Sequence, residues 1–177
     1  MEVMIPLVLT MLATGVVGGL IAGLLGVGGG IVIVPVLDTA LAIRGVDPAI
    51  RMHVAVGTSL ATIIFTSMSS ARAHHAQGAV DMDLVKLWGP FIFVGSLMGS
   101  VAAAQIQGAV LAGIFGVVAL LIAIQMLLPL DNYRPWKQVP KGAGSIITPT
   151  FIGGLSAMMG IGGGTFSVAT LTMMSQP

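Results

Sequence analysis

The sequence predicts an all-α membrane protein: a polytopic helical bundle built from tandem repeats, with half-helices broken by glycine. Three observations carry that reading. The 177 residues are 56% hydrophobic and only 7% charged, against about 25% charged residues in soluble domains. The charges are also bunched: none falls in the intervals 3–37, 52–71, 87–130 or 142–177, which hold 35, 20, 44 and 36 residues. A helix needs about 20 apolar residues to cross the hydrocarbon core. Finally, the glycine cluster Gly26-Val27-Gly28-Gly29-Gly30 recurs as Gly160-Ile161-Gly162-Gly163-Gly164. A shift of 134 residues superposes the two clusters and also pairs Leu24 and Leu25 with Met158 and Met159.

The elements follow in order. A first span covers about Val3–Leu25, with Gly15, Gly19 and Gly23 recurring every four residues as a smooth packing face. Glu2 in place of a basic leader, and the length of the run, predict an uncleaved span. The first glycine cluster then interrupts it, since each glycine inside a helix costs about 1 kcal/mol relative to alanine. Inside lipid such a break is tolerated only where its backbone is buried in protein or lines a wet cavity. A short helix over Ile31–Ile43 comes next, with Pro35 in its first turns. Thirteen residues reach only about 20 Å, so this element is a half-helix or strongly tilted.

Asp38 lies in that short helix. It is a candidate proton carrier, as an intramembrane carboxylate is; alternatively it sits at the interface near Arg44 and Arg51. After a loop over 44–48, Asp47 or Pro48 starts the next helix. The span His53–Ser70 carries Thr58, Thr62 and Thr66 on one stripe, with Ser59 and Ser67 beside it. These hydroxyls either line an anion path or back-bond to their own helix.

The stretch from Arg72 to Gly78 reads as a loop, and Asp81 as an N-cap. Two further spans turn near Gln105–Gly108; Pro90 and the small-residue face Gly95, Gly99 and Ala103 belong to the first of them. The polar segment with Pro135 and Pro140 separates the repeats. The expected organisation is a first transmembrane repeat over 1–130, a cytoplasmic loop over 131–148, and the start of a second repeat over 149–177. The cytoplasmic placement follows from basic residues: the 71–83 and 130–148 segments with Lys86 hold five, the 44–52 loop two. Whether the repeats are inverted or parallel depends on whether the short helix crosses fully.

Composition excludes several classes. Zero cysteines remove disulfides, thiolate metal sites and thiol catalysis, and a net charge of +1 without a basic patch gives no sign of nucleic acid. An enzyme would need a nucleophile with a base in reach, yet His53, His74 and His75 fall at span ends with no carboxylate spaced to orient them. No catalytic residue, metal or cofactor is predicted. What a glycine-rich break does offer is bare backbone: successive N–H groups can converge on an anion, and the next helix points its positive end there. The candidate anion-binding residues are Gly26, Gly28, Gly29 and Gly30, then Gly160, Gly162, Gly163 and Gly164, with Thr58 and Ser59 as hydroxyl donors. Paired broken helices meeting near mid-membrane are a transporter arrangement.

The run from Gly19-Leu20 through the first cluster to Pro35, then Ala55-Val56-Gly57-Thr58-Ser59, then His75–Gly78 and Val80-Asp81, resembles the TauE/SafE sulfite exporter family of membrane permeases. Gly154-Leu155 to Gly164 resembles the start of that family's second repeat. The resemblance implies a multi-pass transporter of the bacterial-type inner membrane, carrying sulfite, sulfonates or related organosulfur anions. It also implies a longer chain in which further spans follow the second motif. Ala169 stands where the repeat would carry proline. The expected partners are therefore the anion and the lipid bilayer, with homo-oligomers left open. The alternative is a non-transporting membrane subunit or an inactive fragment.

Overall fold

The computed structural model describes residues 12, 15–17, 19–20, 23, 29–78, 80–127, 144–164 and 167. Among them there is no strand, and five helices follow one another: α1 Gly30–Ile43, α2 Pro48–Ala76, α3 Met82–Gln105, α4 Gly108–Leu127 and α5 Gly144–Met159. The expected first span lies mostly outside the described residues. Those described between 12 and 23 are helical, and Gly15, Gly19 and Gly23 have no described atom within 4 Å of where a Cβ would sit.

Local chemistry sets the helix ends. α1 stops where Gly45 turns left-handed (φ 74°); the Gly45 and Val46 N–H groups donate back to the Ala42 and Leu41 carbonyls at 3.0 and 3.1 Å. Asp47 caps α2 by accepting from the Ala49 N–H at 2.8 Å, with Pro48 in the first turn. Asp81 caps α3 by accepting from the Asp83 and Leu84 N–H groups, each at 3.0 Å. Two boundaries differ from expectation. Residues 72–76, read as loop, continue α2, because no glycine or proline intervenes before left-handed Gly78 (φ 69°). The helix thereby places His74 and His75 in its last turn. The expected 131–148 loop is likewise shortened by α5, which already begins at Gly144.

α2, α3 and α4 are each long and apolar enough to cross a bilayer. At 14 and 16 residues, α1 and α5 reach only about 21 and 24 Å. Phe65, Phe93, Val101, Leu120, Leu121 and Phe151 are exposed, as a lipid-facing surface requires, since lipid tails solvate them. Val34, Met52, Ala55, Val56, Leu111, Phe115, Met159 and Ile161 form one buried cluster drawn from α1, α2, α4 and the end of α5. His53 closes that cluster at one side. Its Nε2 stands 3.1 and 3.0 Å from the Ala103 and Ile106 carbonyl oxygens, so the ring proton resides on Nε2 and serves the C-terminal end of α3.

The closest packing joins α3 to α5. A Cβ on Gly95 would collide with the Thr150 carbonyl, one on Gly99 with that of Gly154, and one on Gly153 with that of Ile92. Gly95 and Gly99 of the expected small-residue face thus meet Thr150 and Gly154, backbone against backbone, whereas Ala103 joins the buried cluster around Leu111 and Phe115. In lipid this close approach replaces the hydrophobic effect as the force between helices. Trp88 and Ile152, flanked by Leu84 and Ile92, fill the space beyond.

Gly99→Ala and Gly153→Ala are each expected to lower the thermal midpoint in detergent by several degrees, reflecting an overpacking cost of about 1–3 kcal/mol or more. Gly113→Ala on α4, where nothing lies within 4 Å, is the matched control and leaves the midpoint level or raises it, as alanine favours helix over glycine.

Candidate functional site

The two glycine clusters meet. α5 ends in a glycine cap: the Gly160 N–H donates to the Ala157 carbonyl at 3.3 Å and the Ile161 N–H to the Ser156 carbonyl at 3.2 Å, with Gly160 left-handed at φ 67°. This geometry turns the Gly160 carbonyl toward α1 and α2. Gly30, the first residue of α1, packs so closely on it that any Cβ would overlap the Gly160 oxygen and the Gly160–Ile161 backbone. From α2, the Ser59 Oγ donates to that same oxygen at 2.6 Å, and the Ser59 side chain is fully buried. A Cβ on Gly160 would itself come within 3.1 Å of the Val56 carbonyl and 3.3 Å of Val34 Cγ2 and Ser59 Cβ. Gly160 is therefore glycine for both conformation and space.

Beyond this joint the backbone stays irregular. Gly162 and Gly163 are also left-handed, at φ 79° and 65°. The Gly164 N–H donates to the Gly162 carbonyl at 2.6 Å, and the Ser167 N–H to the Gly163 carbonyl at 2.9 Å, which starts the next helical turn. Among the described residues, the Gly162 and Gly163 N–H groups have no acceptor. Gly162 lies against Ile63 of α2, Gly163 faces Ser156, and exposed Gly164 has nothing within 4 Å of a Cβ position. The arrangement offers free backbone donors beside a fresh helix start, the elements of an anion cradle.

The other expected residues divide as follows. Gly29 is the N-cap of α1 and has no side-chain cap; a Cβ there would meet only Ile33 Cδ1, at 3.3 Å. Gly26 and Gly28 lie outside the described residues. Thr58 is exposed and its hydroxyl donates to the Val54 carbonyl at 2.8 Å, while Thr62 and Thr66 also bond within α2. The protons expected to serve an anion from Thr58 and Ser59 are thus engaged by carbonyls here. Asp38 pairs with Arg51 of α2, Oδ1 to Nε at 2.7 Å, with both side chains about a quarter exposed (28% and 26%). This ion pair ties α1 to α2. Sequence reasoning passed over Ser156, whose Oγ is buried without a partner. Its one signal is a serine four residues before a helix-breaking glycine, inside an apolar stretch.

These features define an integral membrane protein in which the start of α1, at Gly30, packs on the glycine motif that ends α5. The chain belongs to the sulfite exporter TauE/SafE family, whose model matches residues 11–177. It is 34% identical to a probable membrane transporter protein of Haemophilus influenzae, an alignment covering 96% of this chain and 64% of that one. It is 30% identical to the probable membrane transporter protein YunE of Bacillus subtilis over 90% of this chain and 65% of the relative. For YdhB of the same organism, also a probable membrane transporter protein, the identity is 31% over 86% and 58%. The chain therefore spans about three-fifths of the length of these curated relatives. No solved structure matches it significantly.

The joint generates a contrast between adjacent glycines. Gly30→Ala is expected to lower the thermal midpoint by several degrees, since its Cβ meets rigid backbone. Gly29→Ala, facing only a flexible isoleucine tip, is expected to change it little; equal losses in a melting assay would contradict this packing.

Proposed function

We propose that the protein takes part in carrying sulfite, a sulfonate or a related organosulfur anion across a bacterial-type inner membrane. The observation that carries this reading is the irregular turn at Gly162–Gly164, directly beyond the joint between the two clusters, where the Gly162 and Gly163 N–H groups have no acceptor among the described residues. Membership of the TauE/SafE family supports it, as do relatives described as probable membrane transporter proteins. Backbone amides suit this task because they are neutral donors: they hold an anion without the fixed charge that would prevent its release.

Within this proposal the glycines divide their labour. Gly162, Gly163 and Gly164 face the anion from the second motif, and Gly26, Gly28 and Gly29 from the first. Gly30, Gly160 and Ser59 hold the two motifs together, so their role in binding is to place the donors. Thr58 serves the anion when its hydroxyl leaves the Val54 carbonyl.

The test is uptake of radiolabelled sulfite in proteoliposomes, by this chain and by the chain extended to the length of its relatives. Saturable uptake by the extended form, lost in Gly163→Val, supports the proposal. Absence of uptake for sulfite and sulfonates alike by both forms, with stoichiometric co-purification of another membrane protein, favours the subunit reading. Coupling is tested in the same vesicles. If Asp38 carries a proton, its pair with Arg51 opens during the cycle, and Asp38→Asn is expected to flatten the pH dependence of uptake. An unchanged profile leaves that pair the sole task of holding α1 to α2.

A further inference from the structure

Ser156 is the buried hydroxyl that this fold leaves unused. It lies on the last turn of α5, 3% exposed, and its Oγ has no hydrogen-bond partner among the described residues. A serine in a helix has an easy alternative, donating to a carbonyl three or four residues back. Thr39, Thr58, Ser96, Ser100 and Thr150 all do so in this structure, at 2.7–2.9 Å. Ser156 does not, although it is more deeply buried than any of them. Leaving a buried hydroxyl unpaired costs about 1–3 kcal/mol, so its orientation calls for an explanation.

The neighbour it faces supplies one. A Cβ on Gly163 would stand 3.7 Å from Ser156 Oγ, and glycine leaves that space empty. The same turn holds the two N–H groups, of Gly162 and Gly163, that have no acceptor among the described residues. One hydroxyl and two amides are thus gathered at a single helix break, all neutral and all donors. Sulfite and sulfonates each present three oxygens on one sulfur, whereas a carboxylate presents two.

We infer that Ser156 is a binding residue for a three-oxygen sulfur anion, donating its hydroxyl proton to one oxygen while the Gly162 and Gly163 amides serve the others. The inference rests on the transport reading above and adds to it a side chain that selects among anions. It also assigns the two serines opposite tasks. Ser59 spends its proton on the Gly160 carbonyl and builds the joint; Ser156 keeps its proton for the ligand.

The experiment uses the full chain purified in detergent, with equilibrium binding of radiolabelled sulfite, competition by methanesulfonate and acetate, and the thermal midpoint without ligand. Wild type is expected to bind sulfite saturably and to be competed better by methanesulfonate than by acetate. Ser156→Ala is expected to weaken sulfite binding about ten-fold or more, the loss of one hydrogen bond to a charged group. Its unliganded midpoint stays level or rises, because the substitution removes an unpaired buried hydroxyl. Ser100→Ala, on an exposed and back-bonded serine of α3, binds like wild type. Unchanged affinity in Ser156→Ala, against saturable wild-type binding, overturns the inference and leaves the transport reading standing. A lowered unliganded midpoint also overturns it, whatever the affinity, because a hydroxyl serving the fold through water gives that result. No saturable binding by wild type also overturns the inference, and uptake by the extended form then decides the transport reading.

Discussion

One carbonyl group organises this molecule. A helix that breaks inside a membrane exposes backbone polar groups where no lipid can satisfy them, and each group left unpaired there costs several kcal/mol. α5 breaks at Gly160, and the carbonyl turned out by that break is taken up by Ser59 from α2 while Gly30 closes over it from the start of α1. α1, α2 and the end of α5, the last remote in sequence from the other two, are thereby held at one atom. Ser59 lies 101 positions from its acceptor, so the contact also fixes the end of α5 against α2. If that bond is removed, the break becomes a defect. With it, the break is a joint.

The same economy governs the α3–α5 crossing. Helices in lipid gain little from hiding apolar surface, so their attraction depends on how closely the backbones approach. Gly95, Gly99 and Gly153 each give up a Cβ to let a facing carbonyl come in, at some loss of helix preference that the membrane environment offsets. α5 is consequently held along its length by α3 and at its end by Ser59 and Gly30. A half-helix of 16 residues, too short to be positioned by crossing the bilayer, is positioned by packing instead. That arrangement brings the irregular turn at Gly162–Gly164 to a defined place beside α2.

Much of this was legible in the sequence, for identifiable reasons. Charge-free intervals and glycine clusters report on the membrane directly, because the bilayer penalises charge and free backbone so heavily that few arrangements survive. The short helix at Gly30–Ile43, the Asp47 and Asp81 caps and the small-residue face of α3 were all readable from local residue types. The end of α2 was not, because residues 72–76 are polar yet good helix formers, and polarity in a membrane chain looks like a loop. The partners of the polar side chains were equally hidden. Nothing in the sequence says that Ser59 reaches Gly160 or that Ser156 lacks a partner, since each depends on which helix faces which; Asp38 beside Arg51 was one of the two readings its position allowed.

The glycines of the second cluster carry the remaining argument, because they are glycine for different reasons. At Gly160 the fold demands it twice over, through a left-handed backbone and through the crowding of Val34, Val56 and Ser59. Gly162 and Gly163 are demanded by backbone conformation, and Gly162 also by Ile63. Gly164 is different: no described atom lies within 4 Å of a Cβ there, and its backbone is not left-handed. Folding among the described residues gives no reason to forgo a side chain at that position, although glycine at a helix start carries an entropic cost. A bare backbone that the fold does not require is one that leaves room for something else to approach. At Gly164 that room opens beside the Gly162 and Gly163 N–H groups, which have no acceptor among the described residues.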